Sequence, residues 1–324
     1  MRAYHSAIML NRSMFEGKVV LDVGTGSGVL SLWAAQAGAA KVYAVEFTDM
    51  AVHARKLVER NGYADVVEVI QSSVEDLELT CKVDIIISEW MGYILLRESM
   101  LDSVIRARNR WLKPDGAMFP SHATMLWGCI SHEEDRKSRV EEFDGTMMEW
   151  VKFSSEMKEY YNLDMSALDD PFHREQAEYY IYSSLWTELR PEHLVGQPVV
   201  IKRLDLNTCT LADAECVPLT PFAVTVPFGI SVSGFAGWFT VDFAGSPTNP
   251  VTRRVTLSTG PEGGYTHWGQ QVFYLKDALQ CNQESKVSGT VRMPRQEKNK
   301  RLYSMEVAVR VDEGAVLQVK YEIP

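Results

Sequence analysis

The chain has 324 residues, 46% hydrophobic and 23% charged, with a formal net charge of −10; it is long enough for two domains that each bury a core, and its composition excludes disorder. The acidic balance argues against direct nucleic-acid binding, which needs concentrated Lys and Arg, and suits basic targets. No apolar run approaches a membrane span, Met1-Arg2-Ala-Tyr-His lacks the form of a secretory signal, and five scattered cysteines without a Cys-x-x-Cys pair fit a reducing compartment and offer no metal site. The expected location is the cytoplasm, with the nucleus as a second compartment.

In chain order, the first strand pattern is Lys18-Val-Val-Leu-Asp22-Val23. It runs directly into Gly24-Thr-Gly26-Ser-Gly28 and then into the helical stretch from Val29 to Gly38. Glycines at such a turn let a ligand approach the backbone at a helix N-terminus. The next strand, Lys41-Val-Tyr-Ala-Val-Glu46, ends in an acid about twenty residues beyond the glycines, where a carboxylate takes ribose hydroxyls. A Gly-rich turn with a distal acid is shared with dinucleotide enzymes. The spacing Gly-x-Gly-x-Gly, rather than Gly-x-Gly-x-x-Gly, favours S-adenosylmethionine over NAD.

Asp49 to Gly62 reads as a helix, Val66 to Ile70 as a strand, and Val83-Asp-Ile-Ile-Ile87 as a buried strand. The loop after that strand carries Glu89 and Glu98 at its two ends, with Trp90, Met91, Gly92, Tyr93 and three aliphatic residues between them. Glu pairs are ordinarily solvated surface charges. An apolar loop is a poor setting for a solvated face, so a pocket is expected. Two carboxylates suit a planar guanidinium, whose N–H donors meet carboxylate oxygens in parallel, and the expected substrate is an arginine side chain. A helix is expected from Glu98 to Leu112.

The pattern changes near Pro120-Ser121, which divides the chain into an α/β domain, 1–120, and a β domain, 121–324. Val251 to Leu257, Lys286 to Arg292, Tyr303 to Arg310 and Val316 to Glu322 alternate as strands of an antiparallel barrel or sandwich. The basic run Arg295 to Arg301 reads as a hairpin tip between strands rather than a nuclear signal. A helical segment rich in Glu, Met, Tyr and Trp interrupts this region, with apolar residues at Met147, Met148, Trp150, Val151 and Met157. Tyr179-Tyr-Ile-Tyr-Ser-Ser-Leu-Trp186 follows with the aromatic content of an interface.

On Val20 to Gly28, the Glu89–Glu98 loop and Tyr265-Thr266-His267-Trp268, the chain resembles the protein arginine N-methyltransferases of type I over nearly its whole length. The resemblance implies a Rossmann-like S-adenosylmethionine-binding domain. An antiparallel β-barrel-like domain follows, with an inserted helical dimerisation arm at about 145–194 that packs on the donor domain of a second subunit to form a ring-shaped homodimer. It implies that Asp22, Gly24, Gly26 and Gly28 serve the methionine part of the donor. In the same way Glu46 holds the ribose, Val74 and Glu75 bracket the adenine, and Arg2 pairs with the donor carboxylate. Glu89 and Glu98 would grip the guanidinium, either Glu98 or His267 would pass the proton to solvent, His267 would support the pocket, and Met91, Met100, Thr266 and Trp268 would line it.

The implied reaction is an in-line attack of a guanidino nitrogen on the donor methyl, giving monomethyl and asymmetric dimethylarginine and S-adenosylhomocysteine. Arginine-containing proteins such as histones or RNA-binding proteins are the implied partners. The family carries an N-terminal helix with a Tyr-Phe motif that folds over the site, and no counterpart precedes Met1; weaker donor binding and a more solvated pocket are therefore expected. A catalytically silent scaffold or regulatory dimer partner is the alternative reading. A small-molecule methyltransferase or NAD-dependent enzyme would leave the double-Glu loop unexplained.

Overall fold

The computed structural model describes residues 1–324 and divides into two compact units. The first comprises Met1–Met125, Lys202–Glu215 and Phe239–Thr259; the second comprises Leu126–Ile201, Cys216–Trp238 and Gly260–Pro324. A single cut at 120 would give the two later segments to the second domain, whereas they cluster with the first. Long-range bonds hold them there. The buried Arg108 guanidinium donates to the carbonyls of Leu206 (2.8 Å) and Cys209 (2.6 Å), and the Ser121 N–H donates to the Asp242 carbonyl (2.8 Å).

The first unit opens with helices α1 (Arg2–Met9) and α2 (Arg12–Phe15). It continues through β1 (Val19–Val23), α3 (Val29–Gln36), β2 (Lys41–Glu46), α4 (Met50–Arg60), β3 (Val67–Gln71), β4 (Val83–Ile87), α5 (Leu101–Trp111) and β5 (Leu112–Phe119). The five strands form a parallel sheet in the order β3-β2-β1-β4-β5. Near-continuous apolar strands belong in a parallel sheet covered on both faces, and Val20, Leu21, Ile85, Ile86 and Ile87 are fully buried. Val23 pairs with Val45 of β2, and Asp22 with Ile87 of β4.

Strand order reverses between β1 and β4, and in open α/β sheets ligands bind outside the carboxyl ends of the strands at such a switch point. The glycine turn leaves β1 at that edge, Glu46 closes β2 there, and the double-Glu loop leaves β4 there. The helix expected from Glu98 begins only at Leu101. Glu98 and Ser99 have φ of 82° and 59°, left-handed values that a helix cannot contain.

The chain continues through β6 (His122–Ile130), α6 (Glu133–Tyr161), α7 (Asp169–Tyr180), β7 (Leu185–Thr187), β8 (Leu194–Asp205), α8 (Leu211–Glu215), β9 (Cys216–Thr225), β10 (Ile230–Gly245), β11 (Pro250–Ser258), β12 (Gln270–Cys281), β13 (Lys286–Pro294), β14 (Tyr303–Val311) and β15 (Leu317–Ile323). These strands build two separately hydrogen-bonded sheets. One has the order β7-β12-β10-β6-β8 with β11 on β10, and the other the order β15-β14-β13-β9. In the second unit, Ile130, Ala236, Trp238, Val272 and Tyr274 form a core cluster, and Trp127 stacks on Phe235 at 5.2 Å.

The arm is the pair α6 and α7. Helix α6 is 29 residues long with Phe143 as its buried residue, and it meets α7 through Phe143, Ala177 and Ile181. Trp150 stacks on Phe172 at 4.4 Å and donates its indole N–H to Asp169 (2.7 Å). No helix is long and apolar enough to cross a membrane.

Candidate active site

The glycine turn is held from beneath by Asp22. This side chain is fully buried and accepts hydrogen bonds at Oδ2 from the hydroxyls of Thr25 (2.6 Å) and Ser31 (2.7 Å), while Oδ1 has no partner. Burial pushes its pKa up to about 6 against the lowering effect of those hydroxyls. Asp22 therefore orders the turn from inside the fold. Gly24, Gly26 and Gly28 all have positive φ, of 69°, 55° and 88°, a conformation that costs any side chain except glycine's.

The space around the turn differs at each glycine. A Cβ added at Gly24 would lie 2.2 Å from the terminal methyl of Met100, and one at Gly26 would meet nothing within 4 Å. Met100 thus covers one end of the turn, and the backbone beside Gly26 is bare, a cradle that suits a close-packed donor. Glu46 is turned toward this cradle. Its Oε2 accepts the Gly26 N–H (2.9 Å), and its Oε1 accepts both the N–H (2.9 Å) and the hydroxyl (2.7 Å) of Thr48. Oε1 has both lone pairs engaged, and Oε2 keeps one beyond its bond to Gly26. Thr48 was not legible as a site residue, because a threonine two positions after the acid is unremarkable in sequence.

The double-Glu loop is built on an unusual backbone. Of its non-glycine residues, Ile94, Leu95, Glu98 and Ser99 all have positive φ, between 46° and 82°. Left-handed conformations at side-chain-bearing residues persist where the surrounding structure over-determines them, and they cluster at functional sites. Gly92 is required for closure, since a Cβ there would lie 1.8 Å from the Arg97 carbonyl oxygen. Ile94, Leu95, Leu96, Trp90 and Met91 are buried, and they anchor the loop.

The two carboxylates differ. Glu89 is partly buried, and its Oε1 lies out of solvent without a hydrogen-bond partner. Burial, followed by the charge of Glu98, pushes its pKa up to about 7. Glu98 is 47% exposed and stands 3.6 Å from Arg97 Nη1. The pair therefore combines one desolvated carboxylate, poorly satisfied by the protein, with one in contact with water.

Tyr4 of α1 is a site neighbour that the sequence did not announce. It is 1% exposed and donates its hydroxyl to the Ser88 carbonyl (2.8 Å), with Met91 Sδ at 3.5 Å. Ser88 in turn donates its hydroxyl to the Val23 carbonyl (2.8 Å), tying the ends of β4 and β1 together. Two residues before Tyr4, Arg2 is exposed on the first turn of α1. Val74 is half-buried and Glu75 exposed, and Glu75 accepts the Ser103 hydroxyl from α5 (2.9 Å).

Thr266, His267 and Trp268 belong to the second unit. The His267 ring lies 3.8 Å from that of the buried Trp268, and its backbone carbonyl accepts the Trp186 indole N–H (3.2 Å). Partial burial lowers the His267 pKa from the usual imidazole value. The Thr266 hydroxyl oxygen is buried without a hydrogen-bond partner.

Comparison with known proteins agrees with this geometry. A family model described as the arginine methyltransferase oligomerization subdomain matches residues 138–314, and one described as ribosomal protein L11 methyltransferase matches residues 6–122. Protein arginine N-methyltransferase PRMT10 of Arabidopsis thaliana is 47% identical over 97% of this chain and 82% of its own length. The PRMT10 of Oryza sativa subsp. japonica is 48% identical over 98% of this chain and 84% of its own length.

Among solved structures, Arabidopsis thaliana protein arginine methyltransferase 10, described as a uniquely open conformation, matches with a TM-score of 0.97 at 44% identity, covering 100% of this chain and 94% of that one. The Trypanosoma brucei PRMT1 enzyme-prozyme heterotetrameric complex with AdoHcy matches with a TM-score of 0.81 at 31% identity, covering the same shares, 100% and 94%. Similarity of this depth and extent, in relatives and in the oligomerization model alike, means that the chain belongs to the protein arginine N-methyltransferase family.

Proposed function

We propose that the chain transfers methyl groups from S-adenosylmethionine to the guanidino nitrogens of protein arginines, giving monomethyl and asymmetric dimethylarginine. The observation that carries this reading is the meeting, at one edge of the parallel sheet, of the glycine turn, Glu46 and the double-Glu loop, with Met100 against Gly24. The bare backbone at Gly26 fits the methionine part of the donor, and Glu46, oriented by Gly26 and Thr48, fits its ribose. Val74, Glu75 and Arg2 are assigned to the adenine and the carboxylate on family resemblance. When bound, the donor supplies an electrophilic sulfonium methyl.

The chain's own residues must make a poor nucleophile attack. A guanidinium has a pKa above about 12 and its lone pairs are delocalised. Glu89 and Glu98 grip it from two sides, fix one nitrogen in line with the methyl, and hold positive charge on the other nitrogens. The unpartnered Glu89 oxygen supports this assignment, because a bidentate guanidinium would satisfy it. The methylated nitrogen then sheds a proton readily, so that no dedicated strong base is required, and Glu98, which is open to water, or His267 passes it to solvent. His267 keeps a supporting or proton-passing role on resemblance alone; a large fall in kcat in His267→Ala would support it.

A second copy of this chain is the proposed partner along the arm, and arginine-rich proteins such as histones or RNA-binding proteins are the proposed substrates, drawn by the net charge of −10. The test is transfer from labelled S-adenosylmethionine to an arginine-rich peptide, with chromatographic identification of the product. Asymmetric dimethylarginine is the expected result. Symmetric dimethylarginine would overturn the type I assignment, and donor binding without turnover would favour the silent-partner reading.

A further inference from the structure

Arg97 is a cation inside the loop assigned to bind one, and the proposed reaction makes no use of it. Its Nη1 lies 3.6 Å from Glu98 Oε1, and its guanidinium sits over the Tyr93 ring at 5.5 Å from the centroid. Its side chain is only 22% exposed, and its Nε is buried without a hydrogen-bond partner. The backbone beneath it is pinned, with the Arg97 N–H donating to the Tyr93 carbonyl (3.3 Å) and its own carbonyl packed against Gly92. The side chain is thus anchored at its root and turned to a carboxylate of the site.

We propose that Arg97 is a specificity-determining residue of the arginine site. Its guanidinium holds Glu98 in the empty loop, and an incoming arginine must compete for that carboxylate with a tethered one. The proposal rests on the reading of Glu89 and Glu98 as a guanidinium clamp. Because Glu98 is nearly half exposed, the pair breaks or is shared at small cost, and the effect falls on binding rather than on the chemical step. Glu98 can serve two guanidinium groups through its two oxygens, but the two cations then stand side by side. A target arginine flanked by neutral residues tolerates this. One flanked by further Lys or Arg brings an additional cation against Arg97 and is disfavoured. The acidic protein as a whole attracts basic chains, and Arg97 sorts among them at contact.

The experiment compares KM and kcat for two synthetic peptides that differ only in glycine or lysine beside a single arginine. For the wild-type chain the lysine-flanked peptide is expected to show the higher KM, with the gap closing between about 50 and 500 mM salt as screening shortens the reach of the charge. In Arg97→Gln the KM of the lysine-flanked peptide is expected to fall about two- to fivefold, that of the glycine-flanked peptide less, and kcat to stay within about twofold. Arg97→Lys, which keeps the cation, is expected to restore the higher KM.

Equal KM values for the two peptides at low salt in the wild-type chain would overturn the proposal without any variant. So would an unchanged KM pattern in Arg97→Gln, or a fall in kcat at unchanged KM, which would make Arg97 a support for Glu98. The clamp fails by a different result: Glu98→Gln with wild-type turnover would remove the basis of the site reading whatever Arg97 does. Loss of turnover in Glu98→Gln with no effect of Arg97→Gln would leave the clamp standing and remove this proposal alone.

Discussion

At the scale of single residues, the proposed chemistry rests most on Glu89, a carboxylate that the fold keeps partly out of water and near another carboxylate. Its pKa of about 7 means that it must lose a proton before it can grip a guanidinium. The kcat/KM for peptide is therefore expected to fall about tenfold per pH unit below 7. The limb in kcat should lie at lower pH, because the bound guanidinium favours the charged form. A profile flat down to pH 5 would contradict the role. Replacing the charge, in Glu89→Gln, is expected to lower kcat by at least about a hundredfold while leaving donor affinity within a few fold; isothermal titration with the donor separates the two.

The same burial has a thermodynamic consequence. Asp22 and Glu89 both have folded pKa values above the ordinary carboxylate range, at about 6 and about 7. The folded state therefore binds more protons than the unfolded chain between pH 4 and 7. The stability gained from both groups is complete below about pH 4 and is lost as pH rises through 6 and then 7. With these two groups considered alone, the thermal midpoint is expected to decline from pH 5 to pH 8. Glu89→Gln should flatten the upper part of that decline, and a decline equally steep in the variant would show that Glu89 is not its source.

At the scale of elements, the strand-turn-helix at Val19 to Gln36 and the strand before the double-Glu loop were legible because their signals are local: apolar runs, glycines and acids at fixed offsets. What escaped the sequence was contact at long range. Tyr4 and Ser88 are 84 positions apart, and no periodicity connects them. The sequence pattern puts the start of α5 at Glu98, whereas the helix begins at Leu101, because the left-handed backbone at Glu98 and Ser99 is a property of the closed loop. The Tyr4 hydroxyl makes α1 part of that loop's support. Tyr4→Phe keeps the ring against Phe243, 4.8 Å away, and leaves the Ser88 carbonyl without that donor. A loss of about 1–2 kcal/mol is expected in denaturant titration. Gly24→Ala adds left-handed strain to a collision with Met100, and donor affinity is expected to drop about tenfold or more. Restoration by a second change, Met100→Ala, would show collision rather than strain to be the larger part.

At the scale of the whole molecule, the arm was legible as a helical, aromatic-rich interruption of a β region, but its purpose lies in surface that the single chain does not cover. Met148, Val151, Tyr160 and Tyr161 on α6 are 65–74% exposed, and a groove of about 920 Å³ runs past Phe143, Met147, Met148, Val151 and His173. Largely apolar exposed surface of this kind, edged by Asp144, Lys152 and Glu156, is what an interface presents, and aromatic residues and Met are enriched at interfaces. Since α6 and α7 hold each other through Phe143, Ala177, Ile181 and the Trp150–Phe172 stack, the arm keeps its own fold while its outer face stays uncovered. Charging that face should separate copies without unfolding the chain. The wild-type chain is expected to sediment as a dimer at micromolar concentration, and the double variant Met148→Glu, Val151→Glu as a monomer with an unchanged circular dichroism spectrum. A wild-type monomer across that range would reject the second copy as the arm's partner, whereas a variant that stays dimeric would place the interface on another face of the arm.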